Sequence, residues 1–260
     1  MFGRALKKAF FDLWDHLFFA LVVNLAFTLV TLGLATVPYL FAGLGNGVQA
    51  LFLPVPFLAA ALLGGIATFW AHDIVAQGSA RFADALHHFQ ASWKPSLAFG
   101  VAWLLVAAGV VFGVPFYTQL NPIFGFIFGV VMAWLVFFGA GMGLYYPGLN
   151  AQVEPSLKKL FKKSFLVFLA NPGTSVVMVV VFLLSVVLSV FTLGFFPGIL
   201  GISIWLQVCF RFVLAKYEWM EKNPDLDFKK TKVPWDEILA EDMDRVGPRS
   251  LRSLIFPWKD

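Results

Sequence analysis

The chain has 260 residues, of which 60% are hydrophobic and only 13% are charged, and its mean hydropathy is +0.81. Soluble globular domains carry about a quarter charged residues, so this composition excludes an ordinary soluble domain, and its hydrophobicity excludes a disordered chain. The net charge of +4 does not indicate nucleic-acid binding, because these charges matter by their position along the chain. The single cysteine, Cys209, excludes an intrachain disulfide and a cysteine-based metal framework.

Six apolar stretches follow one another from residue 17 onward, each near or above the roughly 20 residues that cross a membrane as a helix. We therefore predict an all-α membrane protein, with a six-helix transmembrane bundle over 1–222 and a tail over 223–260. The first stretch is too long for a signal peptide and precedes no small-x-small cleavage pattern, so we expect it to stay in the mature protein. The predicted spans are 17–41, 48–76, 96–117, 122–146, 171–192 and 197–217.

Charged residues divide the segments between these stretches into two kinds. Three connectors, 43–49, 117–122 and 192–198, contain no Lys, Arg, Asp or Glu. Nearly all Lys and Arg lie instead in the N-terminus, in two longer loops and in the tail. By the positive-inside rule, both termini and the two loops are predicted to be cytoplasmic. The two loops are 77–95 and 147–164.

Three short segments share one amphipathic pattern at a spacing of roughly 75 residues. They are 5–16, 81–92 and 156–165, and each precedes a pair of apolar stretches. Their apolar positions recur at i, i+3, i+4 and i+7 or i+8, which is typical of one helix face. We predict three repeated units, each an interfacial helix followed by a transmembrane hairpin. The matched positions are Leu6, Ala9, Phe10 and Leu13, then Phe82, Ala85, Leu86 and Phe89, then Leu157, Leu160, Phe161 and Phe165.

The third of these segments, "SLKKLFKKSF", carries four lysines on its polar face: Lys158, Lys159, Lys162 and Lys163. Because they stand directly before an apolar run, they are predicted to hold the loop in the cytoplasm and to contact anionic lipid headgroups. A lipid surface is thus the first predicted partner. A second is another membrane or cytosolic protein, reached through the cytoplasmic face and the tail.

The tail contains one short amphipathic helix, "PWDEILAEDMDRVGP" at 234–248, followed by a basic, Trp-bearing end at 249–260. Trp235, Ile238 and Leu239 share its apolar side, and Pro234 suits a first helical position. We hypothesise that this helix docks near the four lysines of 156–165, because its polar side is acidic. The alternative is that the lysines face only lipid and the tail awaits a partner. The acidic residues are Asp236, Glu237, Glu241, Asp242 and Asp244.

Two stretches carry a resemblance to a known family. "FWAHDIVAQGSARFADALHHFQASWKPSLAFG" (69–100) and "RFVLAKYEWMEKNP" (211–224) are similar to the helix end, Phe-rich amphipathic helix and "KY" terminus of the YesL-like family of small bacterial integral-membrane proteins. The resemblance implies a six-helix inner-membrane protein of unassigned activity. It also implies an association with bacterial carbohydrate uptake.

Motifs for chemistry are few. No phosphate-binding loop, nucleophile elbow or His-Glu-x-x-His helix occurs, so we predict that the chain is not an enzyme and needs no cofactor. The residues most like metal ligands fall near one predicted depth, but they lack a paired i, i+4 histidine motif, and ordinary polar-face roles are favoured. They are Asp12, Asp15, His16, His72, Asp73, Asp84, His87 and His88.

Polar residues inside the predicted spans include Asn24, Gln207 and Arg211. Asn24 and Gln207 are interpreted as glue between helices rather than as substrate ligands. For Arg211, snorkelling to the headgroups is favoured over pairing with Asp73, Asp15 or Glu218. Glycine pairs four residues apart, such as Gly109 with Gly113, predict close packing inside one bundle in preference to a dimer interface.

Two classes of function remain open. The favoured class is a non-catalytic accessory or assembly protein that contacts another component through its cytoplasmic face and tail. The other is a small-solute carrier or channel with a path between the repeats. A carrier is expected to show a polar crevice lined by residues such as Asn24 and Gln207, whereas an accessory protein is expected to have a sealed core.

Overall fold

The computed structural model describes all residues except 42, 44, 46–49, 154–155, 226–230, 232, 248 and 250–260. Most of connector 43–49 and of the basic end 249–260 therefore lies outside the described residues. The described part of the chain is helical with turns and contains no strand. Its helices are α1 (Phe2–Asp15), α2 (Leu17–Ala35), α3 (Val37–Leu40), α4 (Pro54–Gln77), α5 (Ala85–Ala108), α6 (Val114–Leu120), α7 (Pro122–Val153), α8 (Leu157–Ala170), α9 (Pro172–Phe191), α10 (Gly198–Lys222), α11 (Trp235–Ile238) and α12 (Ala240–Val246).

Six helical segments are long and apolar enough to cross a membrane, which confirms the predicted fold class. The protein is thus a multi-pass α-helical membrane protein. The third span is longer than predicted, because α5, a π-helical turn at Gly109–Gly113 and α6 run on as one helix. The turn lies just before Pro115, whose ring removes an amide donor. The spans are Leu17–Leu40, Ala50–Gln77, Phe82–Leu120, Pro122–Val153, Pro172–Phe191 and Gly198–Lys222.

The last span, α10, is the central helix. It packs against α1, α2, α4, α7 and α9, and its apolar window is 72% buried, whereas the windows of the other five are 6–22% buried. Most residues of the other five windows are therefore not buried by the rest of this chain. Lipid tails are as apolar as leucine, so a central helix has no need to be the most hydrophobic one. Accordingly, α10 carries the polar residues Gln207 and Arg211.

The first and third amphipathic segments form separate helices. Helix α1 ends at Asp15 and is followed by His16, whose ring nitrogens lie 2.9 Å from the Asp12 carbonyl oxygen and 3.2 Å from that of Gly78. Helix α8 ends at Ala170, because Pro172 disfavours a helical conformation of the preceding Asn171. Each of the two helices is therefore set off from the span that follows it.

The second segment differs from this prediction. Residues 82–84 form a 3-10 turn, and residues 85–92 belong to α5, which continues without a break into the third span. Pro95 is accommodated inside that helix. Only two of the three segments are thus separate helices, and the three-unit repeat remains a prediction.

The glycine pairs pack α5–α6 against α7 within one hairpin, as predicted. A Cβ added at Gly125 would lie 2.1 Å from the Thr118 hydroxyl oxygen, so only glycine permits this approach. In each contact a glycine of one helix faces a larger side chain of the other. They are Gly109 and Met132, Gly113 and Phe128, Gly125 and Thr118, Gly129 and Val114, Gly139 and Trp103, and Gly143 and Phe99.

Candidate functional site

One end of the bundle gathers most of the charged side chains, and we call it the charged end. It comprises α1, the turn between α4 and α5, helix α8, the last turns of α10 and the tail helices α11 and α12. Direct contacts hold it together: α1 packs on α10 and on α12, and Asn171 at the end of α8 donates a 2.7 Å hydrogen bond to the Tyr217 hydroxyl on α10.

The tail docks on the bundle through its apolar side. Leu239 is fully buried and belongs to the hydrophobic core, and Val246 is 2% exposed. Trp235 and Ile238 are partly buried against the same core. The predicted apolar anchors therefore do contact the bundle, and burial of such side chains is the main source of docking energy.

The tail docks on α1 and α10 and not at the lysines of α8, which corrects the hypothesis from the sequence. Lys158, Lys159, Lys162 and Lys163 are exposed, and none has an ion-pair partner among the described residues. The acidic tail meets Lys7, Lys8 and Arg4 of α1 instead. The physical reason is that α1 and the tail both pack on α10.

A buried ionic cluster joins the tail to the bundle. The Asp242 carboxylate lies 3.0 Å from the Arg211 Nε atom and 3.7 Å from the Lys8 Nζ atom. Lys8 is only 1% exposed, and its Nζ atom also lies 3.1 Å from Asp12 Oδ2. Two cations and two carboxylates thus balance one another, which is the condition for burying such charges. We call Lys8, Asp12, Arg211 and Asp242 the tail clasp.

The clasp corrects the expectation that Arg211 snorkels to the headgroups. Its partner is Asp242, which lies 31 residues further along the chain, and not Asp73, Asp15 or Glu218. Burial also affects Asp12: removal from water raises its pKa above the usual 3.8, with the neighbouring Lys8 charge opposing the shift.

Contacts at the rim surround the clasp. Lys7 donates a 3.0 Å hydrogen bond to the Gly247 carbonyl, and Arg249 Nη1 lies 2.8 Å from Asp15 Oδ1. The hydrogen bond from Arg249 to Asp15 raises the arginine pKa. Arg4 pairs with Asp236 at the surface. These exposed pairs orient the tail more than they stabilise it.

A polar cleft of about 540 Å³ lies beside the clasp. Asp12, Asp15 and His16 line one side, and Arg245 and Arg249 of the tail line the other. Its cations are engaged: Arg245 donates to the Ala76 carbonyl at 2.5 Å and Arg249 pairs with Asp15. The cleft is therefore a charged seam between the tail and α4, with its charges already paired.

The histidines and aspartates separate into two groups. Asp12, Asp15 and His16 belong to the cleft, whereas Asp73, Asp84 and His88 converge at the turn between α4 and α5. His88 Nε2 lies 2.9 Å from Asp73 Oδ2. His87 points to the exposed side of α5, and His72 is half-buried next to Asp73. The sequence indicated the depth of these residues but not which of them meet.

Asn24 organises the turn that precedes the central helix. Its amide nitrogen donates 2.9 Å hydrogen bonds to the carbonyls of Phe195 and Pro197, and its side-chain oxygen accepts one of 3.0 Å from the Leu200 amide. Gly198 has a φ of +62°, and an added Cβ would lie 2.2 Å from the Asn24 side chain. Asn24 thus caps α10 from α2 and is not free to bind a solute.

Gln207 ties three helices together. Its side-chain oxygen accepts a 2.6 Å hydrogen bond from Gln152, and its amide group donates to the carbonyls of Thr68 and Pro147. The side chain is fully buried. Gln207, like Asn24, serves as a hydrogen-bonding link between helices.

A small cavity of mixed polarity lies between α4, α5, α7, α9 and α10. It measures about 210 Å³, and its polar lining consists of Thr68, Ser96, Tyr146, Asn150 and Ser203. None of these residues was predicted from the sequence to face a cavity, because Ser and Thr in a span usually bond to their own helix. Their convergence depends on how four spans pack, which the chain order does not show.

The comparisons with known proteins add no relative. No family model matches this chain, and no curated protein or solved structure matches it either. The resemblance to the YesL-like family therefore stays a prediction.

Proposed function

We propose that this protein is a non-catalytic accessory or assembly component of the bacterial inner membrane, with both termini and the charged end in the cytoplasm. The main support for this proposal is the contrast between the polar residues inside the membrane and those at the charged end. The intramembrane polar residues Asn24 and Gln207 are used in bonds between helices, whereas the four lysines of α8 stay exposed and unpaired among the described residues. The polar surface available to a partner is therefore at the charged end.

The distribution of carboxylates supports this function. The acidic residues of the six spans are Asp73, Asp84, Glu218 and Glu221, all within about two turns of a span end. Carriers coupled to protons or cations usually place an acidic group deep inside the bundle. The YesL-like resemblance supports a role alongside carbohydrate uptake.

The orientation is tested by cysteine labelling in intact cells. Gln119 and Lys162 are both exposed and lie at opposite ends of the bundle, and the native Cys209 is buried, so it contributes little background. Gln119→Cys is expected to react with an impermeant maleimide in intact cells, and Lys162→Cys only after permeabilisation. The reverse result would invert the orientation.

The partner surface is tested by photo-crosslinking in native membranes. A photoreactive amino acid at Lys162 is expected to yield a discrete protein adduct. The matched control is Leu166 on the same helix, which is 50% exposed on the apolar side and is expected to yield lipid adducts alone. Lipid adducts alone at both positions would contradict the accessory role and leave anionic headgroups as the partner of these lysines.

The mixed cavity favours a second function, that of a small-solute carrier or channel. Asn150 and Ser203 face it within the membrane. If water reaches this cavity, Ser203→Cys will react with a small charged methanethiosulfonate reagent while the buried Cys209 does not. The accessory proposal predicts no reaction at either position, because the cavity would be sealed.

A further inference from the structure

A cluster of three potential metal ligands lies at the turn between the second and third spans. Asp73 is in the last turns of α4, Asp84 ends the 3-10 turn Phe82–Asp84, and His88 follows one helical turn later on α5. One ligand atom from each lies within 4.8 Å of those of the other two. This cluster takes no part in the tail clasp or in the cleft beside it.

Local structure brings these residues together. Gly78, with a φ of +70°, ends α4 and lets the chain reverse. The Trp70 indole donates a 3.0 Å hydrogen bond to the Arg81 carbonyl and so ties the turn to α4. Asp84 and His88 are four residues apart, which places them on one helix face, opposite Asp73.

The burial of His88 and its lack of hydrogen bonds point to a ligand. It is only 5% exposed, and neither ring nitrogen has a hydrogen-bond partner among the described residues. Although Nε2 lies 2.9 Å from Asp73 Oδ2, the two atoms make no hydrogen bond. Phe69 and Trp70 pack around the ring, with centroids 5.7 and 6.1 Å away. The Nδ1 atom of this buried ring thus has no partner, and its Nε2 atom meets only the Asp73 carboxylate, so the ring requires an explanation.

We propose that Asp73, Asp84 and His88 bind one divalent transition-metal cation, with Zn²⁺ as the best match. One imidazole nitrogen and two carboxylates form a donor set that suits this class of cation. The two carboxylate charges would be balanced by the ion. Zinc bonds of about 2.1 Å in tetrahedral geometry separate ligand atoms by about 3.4 Å, so the widest pair would close by at most about 1.4 Å.

The second group of histidine and aspartate residues, at the cleft, is less suited to bind a cation. At the cleft, Asp12 is paired with Lys8 and Asp15 with Arg249, and both ring nitrogens of His16 face backbone carbonyls. Protein cations have already neutralised that group. Among the described residues, no Lys or Arg forms an ion pair with Asp73 or Asp84.

Zinc titration of the full-length protein tests the site. The protein is purified in detergent, stripped with a chelator and titrated with Zn²⁺ against a chromogenic competitor. We expect one equivalent to bind, and His88→Ala and Asp84→Asn to weaken that binding at least 10-fold. His87→Ala, which removes the neighbouring exposed histidine, is the matched control and is expected to bind as the unmodified protein does.

A thermal measurement separates a metal site from a plain ion pair. Asp84→Asn leaves the His88 and Asp73 contact in place, so it keeps the test valid if His88→Ala fails to fold. Zn²⁺ is expected to raise the Tm of the unmodified protein and of His87→Ala, but not that of Asp84→Asn. Failure of the unmodified protein to bind Zn²⁺, or equal binding by Asp84→Asn, would overturn the proposal. Both outcomes are independent of the proposed accessory role.

Discussion

Helices α1 and α8 share nearly the same short basic sequence, but the lysines of that sequence lie in opposite environments. "ALKKAF" (5–10) and "SLKKLF" (156–161) place Lys8 and Lys159 at matching positions. Lys8 is 1% exposed inside the tail clasp, whereas Lys159 is exposed. A basic amphipathic helix is thus defined by its sequence, whereas its partner is determined by the element that packs beside it.

The neighbour that decides is the central helix. Helix α1 packs along α10, which brings Lys8 close to Arg211, so that one carboxylate of the tail reaches both cations. Helix α8 packs mainly on α7. If the tail docked on α8, its carboxylate could pair with an exposed lysine but not with a second, buried cation.

The largest effect is expected from Asp242→Ala. This change leaves Arg211 without its partner and Lys8 with Asp12 alone, and breaking a buried pair in this way costs about 3–5 kcal/mol. We expect the tail to detach, measured as faster hydrogen exchange at 240–246. Asp244→Ala, an exposed change on the same helix, should leave exchange unchanged. Equal effects of the two would show that the clasp is not what holds the tail.

Leu239→Ala is expected to release the tail almost as strongly as Asp242→Ala. Leu239 is fully buried in the core, and truncating a buried leucine costs about 2–5 kcal/mol. Limited proteolysis in detergent is expected to cut the tail of this variant much faster than that of the unmodified protein. Ile238→Ala, at a partly buried neighbour, should give a smaller acceleration; a larger one would mean that the apolar anchor has been misassigned.

Of the two matched lysines, only Lys8 is expected to affect tail protection when it is replaced, and the effect should be intermediate. Lys8→Met keeps most of the side-chain volume but leaves Asp12 buried without its cation. Because Asp12, whose pKa is already raised, can take up a proton instead, we expect a smaller loss than for Asp242→Ala. Lys159→Met changes an exposed side chain and is expected to leave tail protection as it was. If Lys159→Met releases the tail and Lys8→Met does not, the tail docks on α8.

The pH dependence carried by Asp12 should be smaller. A carboxyl whose pKa is raised on folding binds its proton more tightly in the folded state, so its contribution to stability falls as pH rises from the usual 3.8 through the raised value. Lys8, His16 and Asp242 face this group. In Asp12→Asn, tail protection should no longer show the decrease with rising pH that the Asp12 carboxyl causes. An unchanged pH profile would contradict the assigned burial.

The smallest effect belongs to the surface pair of Arg4 and Asp236. Exposed ion pairs contribute about 0.2–1 kcal/mol, so Arg4→Ala should accelerate exchange in the tail by less than about fivefold. Moderate salt should produce a similar change in the unmodified protein. A loss as large as that of Asp242→Ala would place the docking energy at the rim.

The sequence predicted what depends on local pattern. Apolar length identified the six spans, and the 3.6-residue period identified α8 as an amphipathic helix before the fifth span. The tail anchor Leu239 followed from the same periodicity. The glycine pairs of α5–α7 were also assigned correctly to packing within the bundle, since a glycine ridge has to meet a facing helix.

The sequence could not predict which surfaces meet across the bundle. Arg211 was expected to reach headgroups, because its partner Asp242 stands beyond the last span and approaches only once the tail folds back. Residues 81–92 match the other amphipathic segments, yet they continue into the third span. The meeting of Asp73, Asp84 and His88 likewise depends on the reversal at Gly78.

Crosslinking measures directly whether the tail lies next to α1 or next to α8. Cysteines at Arg4 and Asp236 should be joined by a short bifunctional maleimide within the unmodified fold, because those two side chains are in contact. Cysteines at Lys159 and Asp236 should not be joined under the same conditions, with the buried Cys209 silent in both. Efficient crosslinking of the Lys159 pair, without that of the Arg4 pair, would contradict the clasp and place the tail on α8.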